Sequence, residues 1–146
     1  MNETHIPVIV GVGQINDRPA DGAPGLNSVD LMAAALQRAD ADAGGGWLGK
    51  LDALHNVAQL SFPELGDCAQ PLAQAIGAHP RLCGQTRYPM GDSPVALLNE
   101  AANRIARGET EIEAIAGGEA LRTAQKRAAA KVDAVRASAS RAAKEG

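Results

Sequence analysis

Short β-branched runs that alternate with helical segments, each marked off by turn residues, constrain this chain more than any other feature of its sequence. "HIPVIVGVGQ" is a nearly continuous apolar run, as an interior strand of a parallel sheet would be. A Gly- and Pro-rich loop follows, and Ser28 then stands where a cap opens a helix carrying Val29, Met32, Leu36 and Ala39 at helical spacing, up to "DAGGG". "LDALHNVAQLSF" reads as a second strand. "GDCAQPLAQAIGA" reads as a short helix broken by Pro71 and stopped at Gly77, and "RLCGQTRY" as a third strand at an edge or interface. A helix begins where Ser93 supplies an N-cap hydroxyl and Pro94 a pre-set φ, with Leu98, Ala101, Ala102 and Ile105 on one face. "EIEAIAGGEA" closes the pattern as a strand ending in a Gly-Gly turn. The expected class is α/β, a mixed, mainly parallel sheet with flanking helices, the Ser93 helix central among them.

The 146 residues bound this to one domain or part of one. The chain is 45% apolar yet only 2% aromatic, with Trp47, Phe62 and Tyr88 its sole aromatic residues. Much of the apolar count is alanine, which buries little area, so the core is expected to be thin or helped by a partner. The net charge of −3 conceals an asymmetry: residues 1–118 hold 7 basic against 14 acidic residues, residues 119–146 hold 7 against 3. The expected division is a domain over residues 1–120 and a basic, Ala-rich helix or tail over 121–146. That tail is built from strong helix formers, and its apolar side is alanine with Leu121, Val132 and Val135. No aromatics interleave with its basic residues, which argues against a nucleic-acid partner. The opening apolar run is interrupted by Pro7 and Gly11, so it reads as neither signal peptide nor membrane span, and a cytoplasmic location is expected.

Motifs that carry chemistry are scarce. Gly11 and Gly13 begin a dinucleotide fingerprint, but its third glycine would fall at Asn16, and the match fails. Cys68 and Cys83 have no second pair and no histidine at ligand spacing, so no metal site is expected and two reduced, buried thiols are. His5, His55 and His79 share no spacing. Ser93 lies in "GDSPV", where Val95 replaces the second glycine of a nucleophile elbow.

The order "PVIVGVGQINDRP", "SVDLMAAALQRADADAG", "LDALHNVAQLSF", "SPVALLNEAANRIARGE" and "EIEAIAGGEALRT" resembles the N-terminal half of thiolases, over residues 6 to about 127. It looks closest to the sterol-carrier-type, thiolase-like branch commonly labelled acetyl-CoA acetyltransferase. The resemblance implies an acyltransferase fold of two similar halves, the first giving the nucleophilic cysteine at a helix start and the second a histidine and an acid/base cysteine. Counting back 14 positions from Ile105 puts the nucleophile position on Gly91, with Ser93 at the motif's serine and Pro94 at its glycine. An acyl-enzyme needs a thiolate at that helix N-terminus, so no catalytic residue is expected in this chain, Ser93 being a weak candidate only. Gly91, Asp92, Ser93, Gly117 and Gly118 are the expected ligand-contacting residues, with acyl-CoA as substrate or ligand and no cofactor. Expected partners are a second copy, in a homo-oligomer and most simply a dimer through Arg81 to Met90, or a chain carrying the second half. A non-catalytic acyl-CoA-binding or protein-interaction module is the alternative.

Overall fold

The computed structural model describes residues 5–145. Strands β1 (Ala53–Asn56), β2 (Leu82–Gln85) and β3 (Glu113–Ala116) form one sheet in the order β2-β1-β3, and both pairings are parallel. Parallel neighbours need a crossover, supplied by helix α2 (Ala69–Ala75) between β1 and β2 and by α3 (Ser93–Ala106) between β2 and β3. Helix α1 (Ser28–Asp42) precedes β1, and α4 (Leu121–Glu145) follows β3. The sheet is therefore parallel throughout.

Alternation along the strands sorts side chains into two layers. Leu54, Cys83, Ala114 and Ala116 face a core shared with Val29, Met32 and Leu36 of α1 and with Leu72 and Ala73 of α2. His55 and Glu113 face the other way, where Arg104 of α3 binds Glu113. Helices thus cover both faces, α1 and α2 on one and α3 on the other.

Local chemistry explains the helix ends and shifts two of the expected caps by one residue. Asn27, not Ser28, caps α1, its side chain accepting the Asp30 N–H at 2.9 Å. Ser28 is the first helical residue, and its hydroxyl donates to Gln59 Oε1 at 3.1 Å. After α1 the chain reverses through Gly44, Gly45 and Gly46 at φ of 92°, 82° and 86°. The Asp40 carboxylate holds this turn by accepting N–H bonds from Gly46, Trp47 and Leu48 at 3.0, 2.7 and 3.2 Å, and those bonds, the one from Trp47 foremost, lower its pKa. In α3, Asp92 occupies the cap position without a side-chain bond, and Ser93 and Pro94 are the first two helical residues. Pro71 does not break α2: it is the third residue, where no intrahelical N–H bond is required.

The buried face of α3 also differs from the expected one. Ser93, Leu97 and Ala101 are buried, at i, i+4 spacing, whereas Leu98 is 43% exposed. The helix carries two apolar stripes, and the one through Leu97 takes the sheet. The strand expected over residues 5–14 does not form. Among the described residues no strand pairs with that run, and Ile6, Val8, Ile9, Val10 and Val12 are 57–69% exposed. It is held against α1 instead: a Cβ at Gly11 or Gly13 would run into the backbone carbonyls of Ala39 and Ala35, Val12 N–H donates to Asp42 at 2.9 Å and Arg38 to the Gln14 carbonyl at 2.8 Å. The two glycines serve close packing, not a phosphate.

Helix α4 packs only through its first turns. Thr123 is buried, and Arg127 donates to the Gly25 carbonyl with its guanidinium 5.4 Å from the Phe62 ring centroid. Residues 128–141 are exposed. Among the described residues no helix is long and apolar enough to cross a membrane.

Leu54, fully buried on the central strand, is the most informative packing test: Leu54→Ala is expected to cost about 2–5 kcal/mol in chemical denaturation, and Val135→Ala on exposed α4 to stay within about 0.5 kcal/mol.

Candidate functional site

The carboxyl ends of parallel strands share one edge of the sheet, where ligands of open α/β folds bind. Here the loops after β1, β2 and β3 meet the N-termini of α1 and α3 at that edge. Their polar groups are largely consumed by each other. Glu119, just past β3, accepts the Leu60 and Ser61 N–H groups at 2.7 and 3.0 Å and the Ser61 hydroxyl, and Ser61 Oγ accepts the Ala120 N–H at 2.7 Å. Gln59 receives the Ser28 hydroxyl and the Phe62 N–H and donates back to the Phe62 carbonyl. Asn56, fully buried at the end of β1, donates to the Val57 carbonyl at 3.0 Å and to Gln85 Oε1 at 2.9 Å, and Gln85 Oε1 also takes the Cys68 N–H at 2.9 Å. Asn56 Oδ1 is the buried side-chain atom that has no partner among the described residues.

The turn at Gly91, Asp92 and Ser93 opens α3. Ser93 is buried, and its hydroxyl closes the turn on itself, donating to the Tyr88 carbonyl and accepting the Met90 N–H, both at 3.2 Å. Neither partner is a base, so the hydroxyl stays protonated. The Ser93 N–H donates to the Met90 carbonyl at 3.1 Å, and Pro94 has no N–H. Between Asp92 and Val95 that leaves the N–H groups of Asp92 and Val95 as backbone donors for an incoming oxygen. A Cβ at Gly91 would meet nothing within 4 Å, so the space above the turn is open. Gly117 and Gly118 lie at the same edge but lean towards the α1 layer: a Cβ at Gly118 would come within 2.8 Å of Met32 Cγ. No hydrogen bond among the described residues joins Gly117 or Gly118 to the Gly91–Ser93 turn.

The cysteines stand apart from that turn. Cys68 is buried beside α2 and Cys83 is half-buried on β2. Burial, and then the charge of Asp67, pushes both thiols above their ordinary pKa, the opposite of what a nucleophile needs. Among the described residues no cluster of three or more His, Cys, Asp or Glu side chains is placed to hold a metal ion.

Sequence reasoning missed the most strongly ionic cluster. Arg104 on α3 grips Glu113 of β3 through two bonds, Nε to Oε1 at 2.8 Å and Nη2 to Oε2 at 2.6 Å, and Thr110 adds a third at 2.6 Å. Glu113 is 2% and Arg104 14% exposed. His55 Nδ1 lies 3.5 Å from Arg104 Nη2. Burial, and next the charge of Arg104, lowers the His55 pKa, with Glu113 and Glu100 opposing. The signal was present in "EIEAIAG", where a carboxylate sits on a strand flanked by helices and must find a cation. Asn56, Gln85, Ser61 and Glu119 were missed too, because their partners are distant in sequence.

Two outcomes follow from this cluster. Glu113→Ala leaves a buried guanidinium uncompensated and is expected to cost about 3–5 kcal/mol, whereas Glu109→Ala, which breaks the exposed pair with Arg107, is expected to leave the midpoint nearly unchanged in the same denaturation assay. His55 has a folded pKa below its unfolded one, so it contributes nothing to pH dependence above about pH 6.5, and stability falls as the unfolded chain gains the proton first on acidification. Denaturation midpoints between about pH 7.5 and about pH 5 are expected to drop in the parent and to drop less in His55→Gln.

No family model and no curated protein matches the sequence. Among solved structures the chain is similar to an SCP2-thiolase-like protein of type 1 from Mycobacterium smegmatis, described as monomeric, with 28% sequence identity and a TM-score of 0.60. The match covers 79% of this chain but 24% of that one, so the chain spans about a quarter of the length of the protein it matches. Over that part the parallel sheet and its flanking helices form a thiolase-like fold of the sterol-carrier type.

Proposed function

We propose that this chain is a thiolase-related, acyltransferase-type half that performs no acyl transfer by itself, its turn at Gly91 to Ser93 serving at most to contact a thioester. The observation that carries the reading is the glycine at the head of α3, at the position that the resemblance gives to the nucleophile. The fold supports it, the space over Gly91 is open, and the two thiols of the chain are buried or half-buried elsewhere with raised pKa values. Ser93 does not replace a thiolate, because its hydroxyl is bonded to the backbone of its own loop and no imidazole is among its partners. Turnover on this reading needs further sequence or a partner that supplies the histidine and the second cysteine. Asp92 limits even binding, since its carboxylate repels the phosphates of CoA.

A second reading, a non-catalytic module that holds another protein, draws on the exposed apolar side chains. Tyr88 and Met90, within the Arg81–Met90 segment beyond β2, are 55% and 58% exposed, which favours that segment as a contact between copies.

A thioester-cleavage assay on pure protein, run beside Ser93→Ala and Gly91→Cys, tests the first reading. No turnover is expected from the parent or from Ser93→Ala. Gly91→Cys is expected to fold unchanged, since its Cβ meets nothing, and to acquire a thiol that acyl-CoA acylates measurably by mass. Parent turnover that disappears in Ser93→Ala overturns the reading.

A further inference from the structure

A cavity of about 410 Å³ lies between residues 15–18, Leu31 of α1 and residues 119–123 at the start of α4. We propose that it binds a small phosphorylated polyol, the phosphate seated on the first turn of α4 with Arg18 and Arg122, the hydroxyls turned to Asp17. None of Gly91, Asp92 and Ser93 lines this cavity, so the inference stands apart from any thioester contact there.

The first turn of α4 has donors to spare. The helix runs for 25 residues with no acidic residue in that turn. The Ala120 N–H goes to Ser61 Oγ, and the Ala124 N–H opens the helical ladder on the Ala120 carbonyl. Between them the N–H groups of Leu121, Arg122 and Thr123 have no partner among the described residues, and they stand at the positive end of a long dipole. A helix start does not by itself choose a ligand, but the side chains around this one do. Arg18 and Arg122 line the cavity, and neither makes an ion pair or a hydrogen bond among the described residues. Thr123 is only 6% exposed, yet no hydrogen bond reaches its hydroxyl among the described residues. A Cβ at Gly25 would run into Thr123 Oγ1 and come within 3.2 Å of Asp17 Oδ2, so hydroxyl and carboxylate lie close together beside that glycine. A buried hydroxyl left without a partner costs stability that a bound oxygen returns.

The charges select the class of ligand. Two guanidiniums and a helix N-terminus suit the oxygens of a phosphate. Asp17 and Glu119 also line the cavity and repel a ligand that is anionic throughout. Glu119 is occupied by the Leu60 and Ser61 N–H groups and the Ser61 hydroxyl. Asp17 Oδ2 holds the Leu26 N–H at 2.7 Å, which leaves Oδ1 to accept from a hydroxyl. A molecule with one dianionic end and a hydroxyl-bearing remainder satisfies both sets of groups, whereas a dicarboxylate or an inorganic oxyanion satisfies one. The volume is that of a small-molecule site.

The probes are glycerol phosphate and ribose phosphate, titrated into the full chain by calorimetry and by the rise in melting temperature, beside inorganic phosphate, glycerol, succinate and CoA. Saturable binding of at least one sugar or glycerol phosphate is expected, about tenfold or more tighter than inorganic phosphate, with no response to glycerol. Arg18→Gln and Arg122→Gln are each expected to weaken it about tenfold, and Thr123→Val about fivefold. Asp17→Asn keeps an acceptor for Leu26 and is expected to bring the phosphorylated polyol to within about threefold of inorganic phosphate. Arg136→Gln on exposed α4 is expected to change nothing; circular dichroism checks that every variant folds. The proposal is overturned if neither probe binds saturably, if Arg122→Gln binds as the parent does, if Arg136→Gln loses as much, or if succinate or CoA binds more tightly. Inorganic phosphate binding as well as the probes overturns it too, since the site would then hold an adventitious ion only.

Discussion

The sheet depends on one four-residue strand. Among the described residues, strand β1 is the only one hydrogen-bonded on both sides, to β2 and to β3, and it is the place where both layers of the fold meet. Leu54 anchors the α1 and α2 side, His55 faces the α3 side, and Asn56 ties the carboxyl end to Gln85 and through it to Cys68 at the start of α2. Its amino end is tied as well: the Asp52 carboxylate accepts the Glu111 and Ile112 N–H groups at 2.7 and 3.1 Å, which lower its pKa and set the register of β3 before the ladder begins. A four-residue ladder has little cooperativity of its own, so its alignment rests on these flanking bonds and on the helices packed across it.

The two faces are held by different physics. Between the sheet and α1 with α2 the contact is apolar and thin, made by Met32, Leu54 and Leu72 among alanines. Between the sheet and α3 the ion pair of Arg104 and Glu113 is added to the burial of Leu97 and Ala101. Burial of such a pair stabilises weakly against an apolar substitute, but it penalises any arrangement that separates the partners. Arg104 can satisfy Glu113, Glu100 and the neighbourhood of His55 from one rotational setting of α3, so the pair fixes which stripe of that helix faces the sheet. That accounts for the burial of Leu97 rather than Leu98.

Local signals were legible in the sequence where the chain itself supplied the partner. The glycine run after α1, the stop at Gly77, and the alternation of strand and helix all rest on interactions within a few residues, and each has its expected place. What was not legible depended on distant partners. The run from His5 to Gln14 has every residue preference of an interior strand, yet a strand exists only beside another, and none lies there. The caps moved by one residue because Ser28 found Gln59, and Ser93 found the backbone of its own loop, contacts that spacing near the helix start does not reveal. The thiolase-like fold was legible from the order of segments, whereas the pairs Asn56–Gln85 and Ser61–Glu119 were not, because each joins segments distant in sequence that only the parallel sheet brings together.

These bonds bear on what the carboxyl edge can do. A reactive edge needs donors and bases with capacity to spare, and nearly every polar group here has been drawn into holding the loops: Glu119 by three donors, Gln59 by two, Thr86 by the Ala58 N–H and the Tyr88 carbonyl. Ser93 shows the same economy, its hydroxyl and its N–H both turned back on residues 88–90. The positive end of the α3 dipole opens onto Gly91, which has no side chain to offer it an anion or a thiol. A helix N-terminus stabilises a charge only when a group is present to carry it. On the function proposed above, the head of α3 is such a terminus, with Gly91 standing where a charge-bearing side chain would be needed.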